Sequence, residues 1–494
     1  MIENRSDAYT HYLVTAGMCA VALALRSHIA NDAFWLDEIW SYYLTGLMES
    51  PSDAFSKIRI DNNHLLNTLT MYWSGEQANW TIYRLPALLC GVVTVALMGM
   101  AARLLGLIPW LTMLLTTLSL PLIQYSAEAR GYSSAAMFGL AAWLIYFARL
   151  QTESSFKWIV SFWLTCVLGL LSHLTFVFVL VALGLTWLSG CIKAGALDTT
   201  HIRKGLIIFS VPALFLVWIY LYFYGQTSAG GGETSLRLLP NLLELGRYSM
   251  GAPRIFVLEA AASALLLGMM GIGLWTLGGA QRLFFSLVLL LPALLLSLYQ
   301  PDFFYPRYLL VCMPFIYLLV ASSLSNALRL PGPLRVLSAA IVLAMVCGSA
   351  MQYRELAKWG KGDYPQAIED LFNEASGEQF TVGSDFDFRN RALLDFYSRY
   401  RPDSKRLLYV PLAYEQALPT DYFFVHNQEP DHQPAAFIKL KSGTYQLLRQ
   451  YPYSGLSGWN WYLYAHESNS KSGKTAADTA STIQTDTVAV IPTN

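Results

Sequence analysis

Apolar runs of roughly membrane-spanning length dominate the pattern of this chain from residue 12 to residue 351. They cover residues 12–30, 82–105, 108–124, 133–150, 158–172, 175–188, 206–224, 255–277, 283–299, 308–324 and 334–351. A helix needs about 20 apolar residues to cross a hydrocarbon core. The pattern therefore predicts an all-α polytopic membrane protein with about eleven transmembrane helices. The two runs flanking His173 can also be counted as one kinked span.

The polar connections are uneven. Residues 31–81 are too many for a plain connector, and the aromatic-rich segment 64–73 has the amphipathic pattern of a helix lying in the interface. A second long connection, 225–254, contains Gly230-Gly231-Gly232 and reads as a linker or a mobile lid. After residue 351 the pattern changes. Residues 363–376 read as a helix with Ala367, Ile368, Leu371 and Phe372 on one face, and 380–382, 407–410, 422–425 and 445–451 read as short strands. From about Glu467 onward Ser, Thr, Ala, Lys and Asp dominate, the composition of a disordered tail. The expected division is a transmembrane domain over 1–351, a small α/β domain over 352–466 and a tail over 467–494.

Composition agrees with this class. Hydrophobic residues make up 54% of the chain and charged residues only 13%, against about 25% charge in soluble domains. A formal net charge of zero argues against a nucleic-acid partner. None of the six cysteines has metal-ligand spacing, so they read as small buried hydrophobes. The leader before the first run has Glu3, Asp7 and a single Arg5, and no small-residue cleavage site follows, so the run reads as a retained span. Arg103, Arg149, Lys157, Lys193, Arg203, Lys204, Arg282, Arg329 and Arg335 fall on the side of the amino terminus. Basic connections face the cytoplasm. The α/β domain is thus expected outside a multi-pass inner (plasma) membrane protein.

The candidate chemistry sits at the outer ends of the spans. Phe34-Trp35-Leu36-Asp37-Glu38-Ile39-Trp40-Ser41-Tyr42-Tyr43 puts two adjacent carboxylates in an aromatic setting where the chain leaves the bilayer. The alternative is a loop start with two solvated acids. His64 follows Asp61-Asn62-Asn63, and Arg84 opens the second span. Glu128, Arg130 and Tyr132 share one short loop, His173 sits between two runs, and Arg307 and Tyr308 follow Pro306. Arginine presents a planar fork to phosphate oxygens, and a carboxylate can take a proton from an attacking hydroxyl. Such a set suits attack on a substrate whose leaving group is a lipid-linked phosphate. Plainer readings stay open: Arg26 and Arg84 snorkelling to headgroups, Glu128 pairing only with Arg130, and His173 as a hydrogen-bonded helix end.

The ordered set resembles the C-type superfamily of integral-membrane glycosyltransferases. It is most similar to the bacterial relatives of protein O-mannosyltransferases (the family 39-like group) and to the aminoarabinose transferases of lipid A. The residues that carry the likeness are Leu36-Asp37-Glu38, Asn63-His64, Tyr83-Arg84-Leu85-Pro86, Glu128-Ala129-Arg130-Gly131-Tyr132 and Pro306-Arg307-Tyr308-Leu309. The resemblance implies a polyprenyl-phosphate sugar donor, transfer on the outer face to a protein, lipid or glycan acceptor, and inversion at the sugar. It implies Asp37 as general base or as the carboxylate that positions the acceptor, and Glu38 as a neighbour that either supports Asp37 or binds the acceptor. Arg130, Arg307 and Arg84 would hold the donor phosphate, with His64, Glu128, Tyr132, His173 and Tyr308 lining the site. Relatives follow the loop histidine with prolines, whereas Leu65-Leu66 stand here. No cofactor is expected. A divalent cation is conceivable among Asp37, Glu38, His64 and His173, but nothing in their spacing demands one. Two other classes compete. A transporter or flippase of a lipid-linked intermediate predicts polar midplane helices and an internal repeat, and a scaffold with an outer binding domain leaves the arginines unexplained.

Overall fold

The computed structural model describes residues 5–77, 79–153, 155–195, 198–227, 238–299, 305–415, 418–429, 431–469 and 489–490. Gly230-Gly231-Gly232 and residues 470–488 and 491–494 of the expected tail lie outside these. The chain divides into two units. One holds the residues through Asn31 and Trp40–Arg354; the other holds Asp32–Ile39 and the residues from Glu355. The acidic segment thus falls in the unit that holds the C-terminal part.

The first unit is a helical membrane bundle, and the chain is a multi-pass membrane protein. Among the described residues eight helices are long and apolar enough to cross a bilayer: Tyr9–Ala30, Thr81–Leu104, Tyr132–Leu150, Leu174–Lys193, Thr199–Gln226, Phe256–Thr276, Pro306–Arg329 and one starting at Pro333. Three shorter apolar helices, Pro109–Leu118, Phe156–Ser172 and Gly279–Leu295, occupy the other expected runs. The lipid-facing helices leave large apolar side chains uncovered, such as Trp275 and Phe256. By contrast every residue of Met313–Ser325 is buried, so that helix is the centre of the bundle.

The run expected over 108–124 is not one helix. It breaks at Ser119, whose extended backbone (ψ 113°) separates Pro109–Leu118 from Leu120–Ser126. Pro121 has no N–H to offer the carbonyl of Thr117, four residues back. The Arg26 guanidinium serves that end instead, donating to the carbonyl oxygens of Thr116 (3.2 Å), Thr117 (3.3 Å) and Ala22 (3.3 Å). Arg26 is therefore buried rather than snorkelling. So is Arg84, whose Nη1 donates to the carbonyl of Ala30 (2.7 Å). The long connections also carry helices, Leu36–Thr45, Asp53–Ser56 and Leu65–Ser74 in the first and Leu238–Met250 in the second. The second is thus not a plain linker throughout.

The second unit is built on a mixed sheet of β1 (Phe380–Ser384), β2 (Leu407–Tyr409), β3 (Tyr422–Asn427), β4 (Phe437–Leu440), β5 (Gly443–Tyr451), β6 (Asn460–His466) and β7 (Ala489–Val490). Their order is β2-β1-β3-β6-β5-β4-β7. β1 pairs in parallel with β2 and β3, while β6 pairs antiparallel with β3 and β5. Helices Tyr364–Glu374 and Asp387–Ser398 pack against the sheet and each other. Asp363 caps the first of these by accepting the amide of Gln366 (3.3 Å).

Candidate active site

The membrane unit gathers its polar residues around two histidines, and three loops position them. In the first long connection, buried Asn63 ties its own loop together. Its Nδ2 donates to the carbonyls of Ala54 and Ile58 (both 2.8 Å), and its Oδ1 accepts from Thr68 Oγ1 (2.8 Å). That places His64 at the start of helix Leu65–Ser74. One turn on, Asn67 Nδ2 donates to the carbonyl of Ala129 (2.7 Å), joining this helix to the 127–131 loop. Gly131 is required there by close approach, because a Cβ would lie 1.8 Å from the Ser172 carbonyl oxygen. The same contact brings in the turn that carries His173.

Arg130 lies at the centre of this assembly and is only 3% exposed. Its Nη1 donates to Ser41 Oγ (3.2 Å), the Asn62 carbonyl (3.3 Å) and Asn62 Oδ1. Its Nη2 lies 3.3 Å from His64 Nε2. His64 Nδ1 accepts the amide of Gly131 (2.8 Å), so the proton of the neutral ring sits on Nε2. Two N–H donors therefore face one another across 3.3 Å. An anionic oxygen beside them could accept from both.

An aromatic wall completes the arrangement. His64 and His173 meet edge to face, centroids 4.7 Å apart, and Tyr132 lies 4.9 Å from the first ring and 4.6 Å from the second. Tyr308 lies beyond His173 at 6.3 Å. The Arg307 guanidinium rests over Tyr305 (4.2 Å) and near Tyr308 (5.9 Å), contacts that hold a cation without neutralising it. His173 Nδ1 pairs with the Thr175 amide (3.1 Å) and hydroxyl (2.9 Å), so it does cap a helix as the plainer reading had it.

Electrostatics bind the two arginines to the one site. Burial holds His64 well below the usual imidazole range, and the charges of Arg130, His173 and Arg307 add to the effect. Burial together with Arg130 and Arg307 brings His173 down to about 3. Both rings are thus neutral in the folded chain. Among the described residues no group of three His, Cys, Asp or Glu stands together as a metal-ligand set.

The structure thus brings Arg130, Arg307, His64, Tyr132, His173 and Tyr308 together. Glu128 is buried in the same loop, where its carbonyl oxygen accepts the Arg130 amide (2.8 Å). Arg84 is engaged with Ala30, as above. Asp37 and Glu38 belong to the other unit, at the first turn of helix Leu36–Thr45. There Asp37 is half-buried and Glu38 is fully buried. Ser41, Asn62 and Tyr305 are members the sequence did not single out. Only the run Asp61-Asn62-Asn63-His64 pointed toward Asn62.

Among solved structures the chain is similar to ArnT from Cupriavidus metallidurans in the apo state, with 13% identity, 93% of this chain and 98% of that chain covered, and a TM-score of 0.49. It is also similar to the same protein bound to undecaprenyl phosphate, at 14% identity with the same coverage and a TM-score of 0.40. A third is the Archaeoglobus fulgidus oligosaccharyltransferase in complex with Zn and sulfate, at 12% identity, with 84% of this chain and 68% of that chain covered and a TM-score of 0.44. No family model and no curated protein matches the chain.

Proposed function

We propose that this protein is an integral-membrane glycosyltransferase that moves a sugar from a polyprenyl-phosphate donor to an acceptor on the outer face of the membrane. One observation carries the reading. Two arginines far apart in sequence, Arg130 and Arg307, both bear on one buried, neutral histidine pair walled by tyrosines. Two forks, one of them beside a protonated His64 Nε2, suit a phosphate ester whose charge grows as the glycosidic bond breaks. The tyrosine wall suits a lipid-borne substrate at the interface.

In the proposed reaction an acceptor hydroxyl oxygen attacks the anomeric carbon and displaces the phosphate oxygen, inverting that centre. The bonding pair leaves with polyprenyl phosphate, stabilised by Arg130 and Arg307. The hydroxyl proton passes to Asp37. Asp37 is assigned from the ordered motifs. No cofactor takes part. The amino terminus is cytoplasmic in this reading, and the C-terminal domain lies outside the inner membrane.

The test is incubation of purified protein with a panel of polyprenyl-phosphate sugars, scored by released polyprenyl phosphate. Detergent solution suffices, because vectorial transport cannot be scored there and glycosyl transfer can. Asp37→Asn, an isosteric change, should abolish release and leave thermal stability near wild type. A fully active Asp37→Asn protein removes Asp37 from the mechanism, and a chain inert with every donor removes the reading.

A further inference from the structure

The resemblance leaves the C-terminal domain without a task and leaves Glu38 either supporting Asp37 or binding the acceptor. We infer that the second unit is the mount for the acidic segment, in which Lys361 and Tyr397 fix Asp32–Ile39 and Glu38 is a positioning residue that orients Asp37. The catalytic part of this inference rests on the glycosyltransferase reading; the anchoring part does not.

The segment is built into this unit from several directions. Glu38 Oε2 accepts the amide of Trp35 (3.3 Å). This is the back-bond of a capping box, made by the third helical residue to the residue before the helix. The same oxygen lies 3.8 Å from Lys361 Nζ, and both side chains are 0% exposed. The Lys361 amide donates to Asp32 Oδ2 (3.3 Å). Tyr397 donates its hydroxyl to the Phe34 carbonyl (2.5 Å), and Phe34 stacks on Phe396 with centroids 6.1 Å apart.

Lys361 is itself pinned. Its carbonyl accepts from Tyr364 Oη (2.6 Å) and from the Trp459 amide (3.3 Å). Its neighbour Gly360 has φ 55°, and a Cβ there would lie 2.3 Å from Asp32 Oδ2. A Cβ on Gly458 would lie 2.1 Å from the Lys361 carbonyl oxygen. Desolvating an ammonium and a carboxylate together adds little net stability. What such a pair supplies here is a single geometry for the turn that presents Asp37. A carboxylate whose oxygen is already shared between Trp35 and Lys361 is poorly placed to bind an acceptor as well.

The experiment uses the full chain in detergent and two readouts, sugar transfer and hydrogen exchange of the 32–39 amides. Lys361→Met is expected to lower kcat on the order of 100-fold, with KM for the lipid donor unchanged and faster exchange over 32–39. Adding Glu38→Gln to Lys361→Met removes the stranded charge. It should recover roughly tenfold of kcat and much of the protection. Tyr397→Phe deletes one oxygen and should shift both readouts the same way by less; it decides the matter if Lys361→Met does not fold. Wild-type kcat and protection in the folded variants would overturn the inference. So would a double variant that regains protection yet stays as inactive as Lys361→Met, since Glu38 would then act on substrate. If the wild-type chain transfers nothing, the glycosyltransferase reading fails, and exchange over 32–39 still decides whether Lys361 and Tyr397 anchor the segment.

Discussion

Arg307 is a fork laid over Tyr305, and its planarity matters as much as its charge. Replacing it with lysine keeps one positive charge but loses the paired donors and the stacking. We expect Arg307→Lys to lower kcat/KM by on the order of 10- to 100-fold with thermal stability unchanged, measured as released polyprenyl phosphate. Wild-type kcat/KM would remove Arg307 from the donor site. The histidines make a second prediction, with a definite sign. His64 and His173 are held neutral in the folded chain, while in the unfolded chain each titrates near 6.5. Their contribution is complete above about pH 6.5 and is lost as pH falls toward the folded value of about 3 for His173. At pH 5 the deficit for His173 is about 2 kcal/mol. The unfolding midpoint in detergent should therefore fall between pH 7.5 and 5, and His173→Gln should flatten that fall. These residues were legible in the sequence because each is a polar group at the end of an apolar run, where membrane cost makes it conspicuous. Ser41 and Asn62 were not, because serine and asparagine are ordinary loop residues whose approach to Arg130 is set by tertiary packing.

Helix breaks direct the site, and one of them was written in the chain. Ser119-Leu120-Pro121 carries a capping residue followed by proline at the start of a new helix, the standard start signal. It was overlooked because the apolar content runs on without interruption from 108 to 124. The buried arginine that completes the break could not be found this way, since Arg26 and Thr116 are 90 residues apart. Arg26→Met leaves the Thr116 and Thr117 carbonyls without their donor, at a cost of roughly 2–5 kcal/mol. Pro121→Ala restores an amide that can serve the Thr117 carbonyl. The double variant should therefore unfold at a higher temperature than Arg26→Met alone, and wild-type stability in Arg26→Met would show that the guanidinium is no staple. In the second unit the strands that alternate or stand between turns were readable, including β1 and β3. β6 was missed because six of its seven residues are buried, so the period of two that betrays a half-buried strand is absent. Helix Asp387–Ser398 was missed for the opposite reason: its charged residues dilute the apolar stripe.

Across the whole membrane unit, the helices relate the site to the charge pattern. Tyr132–Leu150 and Pro306–Arg329 both begin among the site residues and end in basic ones, Arg149 and Arg329. Helices of this length advance roughly 30 Å, one hydrocarbon thickness. At the far end Arg149 and Lys157 both lie over the Trp158 ring, and Arg329 Nη2 donates to the Gly106 carbonyl (2.9 Å) just past helix Thr81–Leu104. A basic rim is the cytoplasmic signature, so in the proposed reading Arg130 and Arg307 lie at the outer leaflet. Nucleotide-activated sugars are confined to the cytosol by charge, so a transferase facing outward needs a donor carried across on lipid. The orientation is open to direct measurement with single added cysteines and a membrane-impermeant maleimide on spheroplasts, the wild-type chain serving as blank. Exposed Asp61 adjoins the site and exposed Glu153 adjoins the basic rim. Asp61→Cys should label on intact spheroplasts, and Glu153→Cys only after lysis. The reverse order would put the arginines in the cytoplasm, where a soluble activated sugar could reach them and the lipid-linked donor would lose its physical reason.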